Sequence, residues 1–289
     1  MSIARILAAI DGGADSAAVA GISVELGRRF DAQVEWLAIL PNPTRMVPAS
    51  VDSMGGAMTG SLVEVSDETY EERLAEVERL TQLHGQDLDR PILKGDEEPD
   101  GAGFSLKVRH EVGFTEDDIG AAGLLSDLIV LPVSAHQGHG VATTLLEAAV
   151  LECGRPVLAL PKDAATAPGR AIGIAWDGSR EAARALTATL PLLKAAEKIV
   201  ILTGLAPGQE ALPSQVGKYL AAHGLEAKTW GFIPHEGRMG DQILEQAAIA
   251  ELDLLVMGAY GHSRMSELVL GGVTRRILQK AQLAVLLTH

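Results

Sequence analysis

Four glycines surround a polar segment near the C-terminus, in the sequence VMGAYGHSRMSELVLGGVTRRIL. Gly258 follows an apolar run, and a helical pattern begins at Gly272. A helix that starts after such a loop presents free backbone N–H groups and the positive end of its dipole to the loop. Glycines also let the main chain approach a ligand closely. The pattern indicates a phosphate-binding loop, and its alternative is a glycine turn that only joins a strand to a helix.

Several side chains in and beside this loop have the chemistry to contact an anion. Thr274 lies in the first helical turn and carries a hydroxyl. Arg264, Arg275 and Arg276 supply positive charge nearby. His262 lies inside the loop, where it either donates to a phosphate or holds the loop by bonding a carbonyl. The segment therefore contains donors and charges that suit a polyanion.

The chain contains two copies of one pattern. ILAAIDGGADSAAVAGISVELGRRF and AIGIAWDGSREAARALTATLPLL each consist of an apolar run that ends in Asp-Gly and a helical run of small residues. Asp11 and Asp177 take the same place, 166 positions apart. We therefore predict two tandem domains, residues 1–162 and 170–289, joined by the small and polar linker KDAATAPGR.

The two copies differ in length. Between Asp11 and Asp127 lie 116 positions, but between Asp177 and Asp253 only 76. The extra residues of the first half fall in two stretches that we predict to be irregular, NPTRMVPASVDSMGGAMTGS and GQDLDRPILKGDEEPDGAGF. The charged helix between them has apolar residues on one face and is expected to cover the sheet. A lid, a dimer contact and a disordered loop remain open for the insertions.

Strands that alternate with helices predict a doubly wound parallel α/β fold in each half. In the second half the expected strands are 171–176, 198–202, 226–232, 253–257 and 283–287, and the first helix is expected over 179–193. The composition agrees, because 47% of the residues are hydrophobic but only 3% aromatic, as in aliphatic helix-covered sheets. Ligands of such sheets bind at the carboxyl ends of the strands, where Asp177 and the glycine loop both lie.

The corresponding loop of the first half lacks these glycines. Pro132 stands where Gly258 does, and Ala135 where Gly261 does. Proline has no N–H and a fixed φ, so this loop cannot copy a backbone that cradles phosphate. We interpret the first half as a degenerate copy whose remaining loop glycines serve a turn.

The spacing Gly258-x2-Gly261-x9-Gly271, within tandem repeats that open on Asp-Gly, resembles the nucleotide-binding signature of the universal stress protein family. The resemblance covers nearly the whole chain, as a tandem two-domain member. In that family the pattern is Gly-x2-Gly-x9-Gly-Ser/Thr, and the loop and hydroxyl hold the phosphates and ribose of ATP. The resemblance implies a five-stranded parallel sheet in each half, with the halves packed about a pseudo-twofold axis at their last strands.

Carried over by position, the resemblance implies a site for ATP or a related adenine nucleotide, with Mg²⁺, in the second half. The residues that it assigns to this site are Asp177, Gly258, Gly261, His262, Gly271, Gly272, Val273 and Thr274. Asp177 corresponds to the family's aspartate near adenine and ribose. Gly272 departs from the pattern, because a Ser or Thr hydroxyl is expected there, and Thr274 is the candidate replacement.

Three hypotheses of function remain open. The leading one is a cytoplasmic stress-response regulator that binds nucleotide and acts on an unknown protein partner. The second is a nucleotide-independent interaction scaffold of the same fold. The third is an ATP pyrophosphatase, because DGGADS resembles the Ser-Gly-Gly-x-Asp-Ser loop of those enzymes, although Asp11 would repel phosphate. No catalytic residue is predicted, since no nucleophile–base pair can be assembled from spacing, and slow ATP hydrolysis is the most that we expect.

Charge and residue usage argue against several other classes of function. A net charge of −14 without a basic stripe disfavours nucleic acid and anionic membranes as partners. The single cysteine, Cys153, is expected to be a buried hydrophobe in a reducing compartment. His136, His139 and His235 lack further ligands nearby, so no metal site is predicted. The tandem chain would mimic a dimer internally, which leaves a homodimer of the whole chain open.

Overall fold

The structure is a computed structural model of the 289-residue chain. The residues that it describes are 2–40, 56–86, 88, 91–112, 116–133, 145–204, 212–235, 237–259 and 271–289.

Strands and helices alternate along both halves of the chain. In the first half the described strands are β1 (Arg5–Ile10), β2 (Gln33–Leu40), β3 (Leu93–Lys94), β4 (Ser105–Val112), β5 (Leu128–Pro132) and β6 (Val157–Leu160). The described helices there are α1 (Ser16–Phe30), α2 (Gly56–Gly85), α3 (Glu116–Gly123) and α4 (Leu145–Glu152).

The second half repeats this alternation with shorter connections. Its described strands are β7 (Ala171–Ala175), β8 (Lys198–Gly204), β9 (Lys228–Phe232), β10 (Leu254–Gly258) and β11 (Ala284–Thr288). Its described helices are α5 (Arg180–Ala188), α6 (Leu190–Ala195), α7 (Leu212–Ala222), α8 (Met239–Ile249) and α9 (Gly272–Lys280). The predicted single helix over 179–193 is therefore wrong, because Pro191 at the start of α6 interrupts the helical hydrogen bonds and α5 ends before it.

The described strands form one eleven-stranded sheet in the order β3-β4-β2-β1-β5-β6-β11-β10-β7-β8-β9. All neighbouring strands are parallel except β6 and β11, which pair antiparallel. Apart from β3, both halves have the strand order of a doubly wound fold. The predicted α/β fold is confirmed, and the expected pairing of the last strands joins the two five-stranded units into one continuous sheet.

Helices cover both faces of this sheet. One face packs against α1, α2, α5, α6 and α7, and the other against α3, α4, α8 and α9. Trp36 of β2 is fully buried under the first set, where its indole N–H donates to Ser23 Oγ at 2.9 Å. Aliphatic side chains make up most of both cores, as the low aromatic content predicts.

Helix α2 covers the sheet as expected. Val77 and Leu80 are buried, while Tyr70 and Leu74 are partly buried against the same core. The helix begins at Gly56, so the prediction of irregular structure up to residue 61 is wrong, because residues 56–85 contain no proline to interrupt the helix. The second irregular stretch likewise contains the two-residue strand β3, which pairs with β4.

Two aspartates confirm that the repeats are aligned correctly. Asp127 Oδ2 accepts hydrogen bonds from the backbone N–H groups of Ala4, at 2.8 Å, and Arg5, at 3.0 Å. Asp253 Oδ2 accepts one from Arg170, at 2.9 Å. Each aspartate thereby fixes the start of the first strand of its own half. The limits of the two domains stay a prediction, since the sheet runs through both.

Candidate functional site

The carboxyl ends of β7 and β10 define the candidate site. These strands are parallel neighbours, with Leu254 opposite Ile172 and Val256 opposite Ile174. Helix α5, which follows β7, packs on one face of the sheet, and α9, which follows β10, packs on the other face. The winding of the chain therefore reverses between these two strands. This is the topological switch point at which doubly wound sheets bind ligands. Asp177, just past β7, and the end of β10 meet at this edge.

Asp177 belongs to a tight turn that starts α5. Its Oδ1 accepts a hydrogen bond from the N–H of Ser179 at 2.9 Å, and Gly178 has a positive φ of 79°. Ser179 caps the helix by accepting from the N–H of Ala182 at 3.1 Å. Asp177 is exposed. The turn therefore positions a solvent-facing carboxylate at the switch point.

In the first half, other residues of the protein contact the equivalent turn at Asp11. Asp11 Oδ1 accepts from Gly13 N at 2.8 Å and from Ser16 Oγ at 3.0 Å, while Arg73 Nη1 lies 2.5 Å from Asp11 Oδ2. A Cβ added to Gly12 would collide with the backbone carbonyl of Arg73. Helix α2 thus lies directly on the Asp-Gly turn, and its arginine holds the carboxylate. Arg73 was not predicted, because it lies 62 positions from Asp11.

Gly258, the last residue of β10, has a packing reason to be glycine. A Cβ at this position would lie 2.6 Å from the backbone N of Ala182 and 2.6 Å from the carbonyl carbon of Glu181. The start of α5 therefore packs against the end of β10 at a distance that excludes any larger side chain. A contact between Gly258 and a ligand stays a prediction.

The amino terminus of α9 has backbone donors that are unpaired within the helix. Gly271 is the N-cap residue, and the first helical bond runs from Arg275 N to Gly271 O at 3.0 Å, so the N–H groups of residues 272–274 precede the helical ladder. A Cβ at Gly271 or Gly272 would meet no atom of the described residues within 4 Å. Val273 is 37% exposed, but Thr274 is only 4% exposed. The exposed residues Gly272 and Val273 are therefore better placed than Thr274 to offer backbone N–H groups to a ligand.

One of the arginines near the start of this helix, Arg276, binds an acidic side chain of α8. Arg276 Nε and Nη2 lie 2.9 and 3.0 Å from the two oxygens of Asp241, and Lys280 adds a third bond at 3.2 Å. These donors lower the pKa of Asp241 to about 2. Arg238 lies close to Asp241 in the sequence but pairs with Glu245 at 2.9 Å, whereas α9 supplies the cations that bind Asp241.

Part of the predicted site lies outside the described residues. The predicted binding residues Gly261 and His262 lie outside the described residues, as do Arg264, Ala135, His136 and His139. His235 is described, and its Nδ1 lies 2.7 Å from Gln242 Nε2, which fixes a loop before α8. Among the described residues, no group of three or more His, Cys, Asp or Glu is arranged to hold a metal ion.

Cys153 is a buried hydrophobe, as predicted. It is 3% exposed, and its Sγ donates to the carbonyl of Ile119 at 3.2 Å. Burial, followed by the nearby charge of Glu152, raises the pKa of the thiol to about 11. A thiol in this state is a poor nucleophile, so Cys153 contributes no chemistry to the site.

The two halves also differ in charge. Of the 38 acidic residues, 26 lie in residues 1–162 together with 12 basic ones, whereas residues 163–289 contain 12 of each sign. The whole net charge of −14 therefore belongs to the first half. The half that keeps the glycine loop is neutral and does not repel an anionic ligand through its net charge. This difference is present in the sequence and could have been found there by counting each repeat separately.

The fold and this edge define a doubly wound α/β protein with a candidate anion site in its second half, and comparisons with known proteins agree with the fold. Residues 169–289 match the model of the Universal stress protein family. The universal stress protein Slr1230 of Synechocystis sp. PCC 6803 is 30% identical over 197 residues, which are 63% of this chain and 64% of that protein's length. The second half of the chain is therefore similar in sequence to the universal stress protein family.

Solved structures extend the likeness in fold to the first half. A universal stress protein from Archaeoglobus fulgidus superposes with a TM-score of 0.66 at 13% identity, covering 98% of this chain and 95% of its own. A universal stress protein solved in complex with cAMP is 24% identical over 43% of this chain and 98% of its own, with a TM-score of 0.36. No helix in the described ranges is long and apolar enough to cross a membrane.

Proposed function

We propose that this chain is a universal stress protein that binds ATP or a related adenine nucleotide, with Mg²⁺, at the edge formed by β7 and β10, and that it acts as a cytoplasmic regulator rather than as a dedicated enzyme. The observation that carries the proposal is the meeting of an exposed carboxylate, Asp177, and a helix amino terminus, that of α9, at one topological switch point. A protein that receives the signal, and a homodimer of the chain, belong to the same proposal.

Each part of the proposed site suits a different part of a nucleotide. The N–H groups of residues 272–274 and the positive end of the α9 dipole suit phosphate oxygens. Gly271 and Gly272 leave open space through which a phosphate reaches them. Asp177 Oδ2 has the chemistry to accept hydrogen bonds from ribose hydroxyls or an exocyclic amine. Gly258, Gly261 and His262 complete the proposed set by position in the motif. Mg²⁺ would neutralise phosphate charge when it accompanies ATP.

The first half of the chain is a poor alternative location for the nucleotide site. Pro132 ends β5 at the place of Gly258, and it supplies no N–H there. Arg73 already occupies the carboxylate of Asp11. The net charge of −14 in this half also disfavours a polyanion. These three observations support one nucleotide per chain.

Equilibrium dialysis with ATP and Mg²⁺ tests the proposal on the wild type and Gly271→Val. The open space around Gly271 accepts the valine without disturbing the fold, whereas a ligand at the helix start would meet its side chain. We expect saturable binding by the wild type and at least about tenfold weaker binding by the variant, since a 1.4 kcal/mol loss corresponds to that factor. Gly217→Val in α7, also in open space, is the matched control and should bind as the wild type does. A wild type that does not saturate overturns the proposal.

A nucleotide-independent scaffold is the second candidate function. The close packing of Gly258 against α5 favours it, because this glycine would be required even without a ligand. Mass spectrometry of small molecules released from purified, denatured protein separates the two. Stoichiometric adenine nucleotide would rule out the scaffold.

A further inference from the structure

Trp176 carries an unpaired polar group beside the candidate site. It follows β7 and directly precedes Asp177, and its backbone N–H donates to Leu202 O at 2.8 Å. The indole ring is partly buried against the core on the face of the sheet that α5 and α7 cover. Its Nε1 is buried, and it has no hydrogen-bond acceptor in the structure as described. Buried indole N–H groups are normally paired, because an unpaired donor loses its hydration without compensation.

The fold itself does not require this donor. In the first half the same place is taken by Ile10, which is 2% exposed and packs against the same core without any polar atom. The other indole on this face is satisfied, since Trp36 Nε1 donates to Ser23 Oγ at 2.9 Å. An aliphatic residue therefore fills this position adequately, and the unpaired N–H of Trp176 needs another explanation.

We propose that Trp176 is a specificity-determining residue, whose indole N–H donates to an acceptor on the nucleoside part of the ligand. The inference rests on the proposed nucleotide site. Trp176 adjoins Asp177 at the end of β7, whereas the helix amino terminus that suits phosphate belongs to α9, after β10. Residue 176 thus lies at the β7 side of the edge, whereas the helix start that suits phosphate lies at the β10 side. The indole N–H would distinguish a nucleotide from an inorganic polyphosphate.

Trp176→Phe separates this role from a structural one, because phenylalanine keeps an aromatic ring and removes the N–H. Isothermal titration measures the binding of ATP and of inorganic tripolyphosphate to both proteins. We expect the affinity for ATP to fall about fivefold to tenfold, the effect of one hydrogen bond. The affinity for tripolyphosphate should stay unchanged.

Thermal unfolding supplies the second readout. Trp36→Phe is the matched control, since it removes a paired indole N–H and should lower the unfolding midpoint. Trp176→Phe removes an unpaired donor and should not lower it. Equal ATP binding by wild type and Trp176→Phe, an equal loss for both ligands, or a drop in midpoint like that of Trp36→Phe would each overturn the inference while the proposed function stands. A wild type that binds no ATP would overturn both.

Discussion

Replacing Gly272 with serine should strengthen ATP binding. Gly272 is the first residue of α9, and a Cβ there meets no atom of the described residues within 4 Å, so a serine side chain fits without displacing any of them. It would place a hydroxyl next to the N–H groups that the helix leaves unpaired, at the position where the universal stress protein signature has Ser or Thr. Thr274 is only 4% exposed, so its own hydroxyl does not substitute readily.

The expected gain in ATP affinity can be worked out from the strength of one hydrogen bond between the serine hydroxyl and a charged phosphate. A hydrogen bond to a charged group contributes roughly 1.5–3 kcal/mol to stability when it is shielded from water. Gly272 is exposed, so we expect the lower end, about 1.5 kcal/mol, which lowers the Kd for ATP slightly more than tenfold. Gly272→Ala is the matched control, because it adds the same Cβ without the hydroxyl. Both variants should gain up to about 1 kcal/mol of folding stability, since glycine is costly in a helix.

Isothermal titration with ATP in the presence of Mg²⁺ measures this effect on wild type, Gly272→Ala and Gly272→Ser. The expected order of affinity is serine above alanine, with alanine close to the wild type. A serine variant that binds no more tightly than the alanine variant would show that the hydroxyl does not reach the ligand, contrary to this prediction.

Three further outcomes are expected. The Asp241 carboxylate, with a pKa of about 2 against an ordinary 3.8, gives its ion pairs with Arg276 and Lys280 a stabilising effect that is complete above pH 3.8. That effect is lost as the pH falls through 2, so acid unfolding of Asp241→Asn should show a weaker pH dependence between about 4 and 2. Gly258→Ala should lower the free energy of unfolding in urea by about 1–3 kcal/mol, since its Cβ would overlap the start of α5. The thiol of Cys153, with a pKa of about 11, should resist Ellman's reagent at pH 8 until the protein unfolds.

Most of the fold could be predicted from the sequence, because local patterns of residues determine the strands and helices. Apolar runs placed the second-half strands within one or two residues of their observed ends, and the Asp-Gly repeats predicted the tandem order. The break between α5 and α6 was missed although Pro191 indicated it, because the apolar pattern continues through it. The short strand β3 has too few residues for a periodic signal.

The site was harder to predict, because it depends on contacts between distant residues. Spacing brought Asp177 and the end of β10 to one edge correctly. It could not show that Arg73 holds Asp11, that Arg276 is held by Asp241, or that Thr274 is buried. Each of these facts depends on how a helix packs against its neighbour rather than on local sequence.

A crystal structure grown with ATP and Mg²⁺ would show whether a nucleotide binds at the edge formed by β7 and β10. We expect one nucleotide per chain, with its phosphates within hydrogen-bond distance of the backbone N–H groups of residues 272–274 and its nucleoside beside Asp177. A nucleotide ordered beside Asp11 in the first half, or none at saturating ATP, would overturn the proposed site.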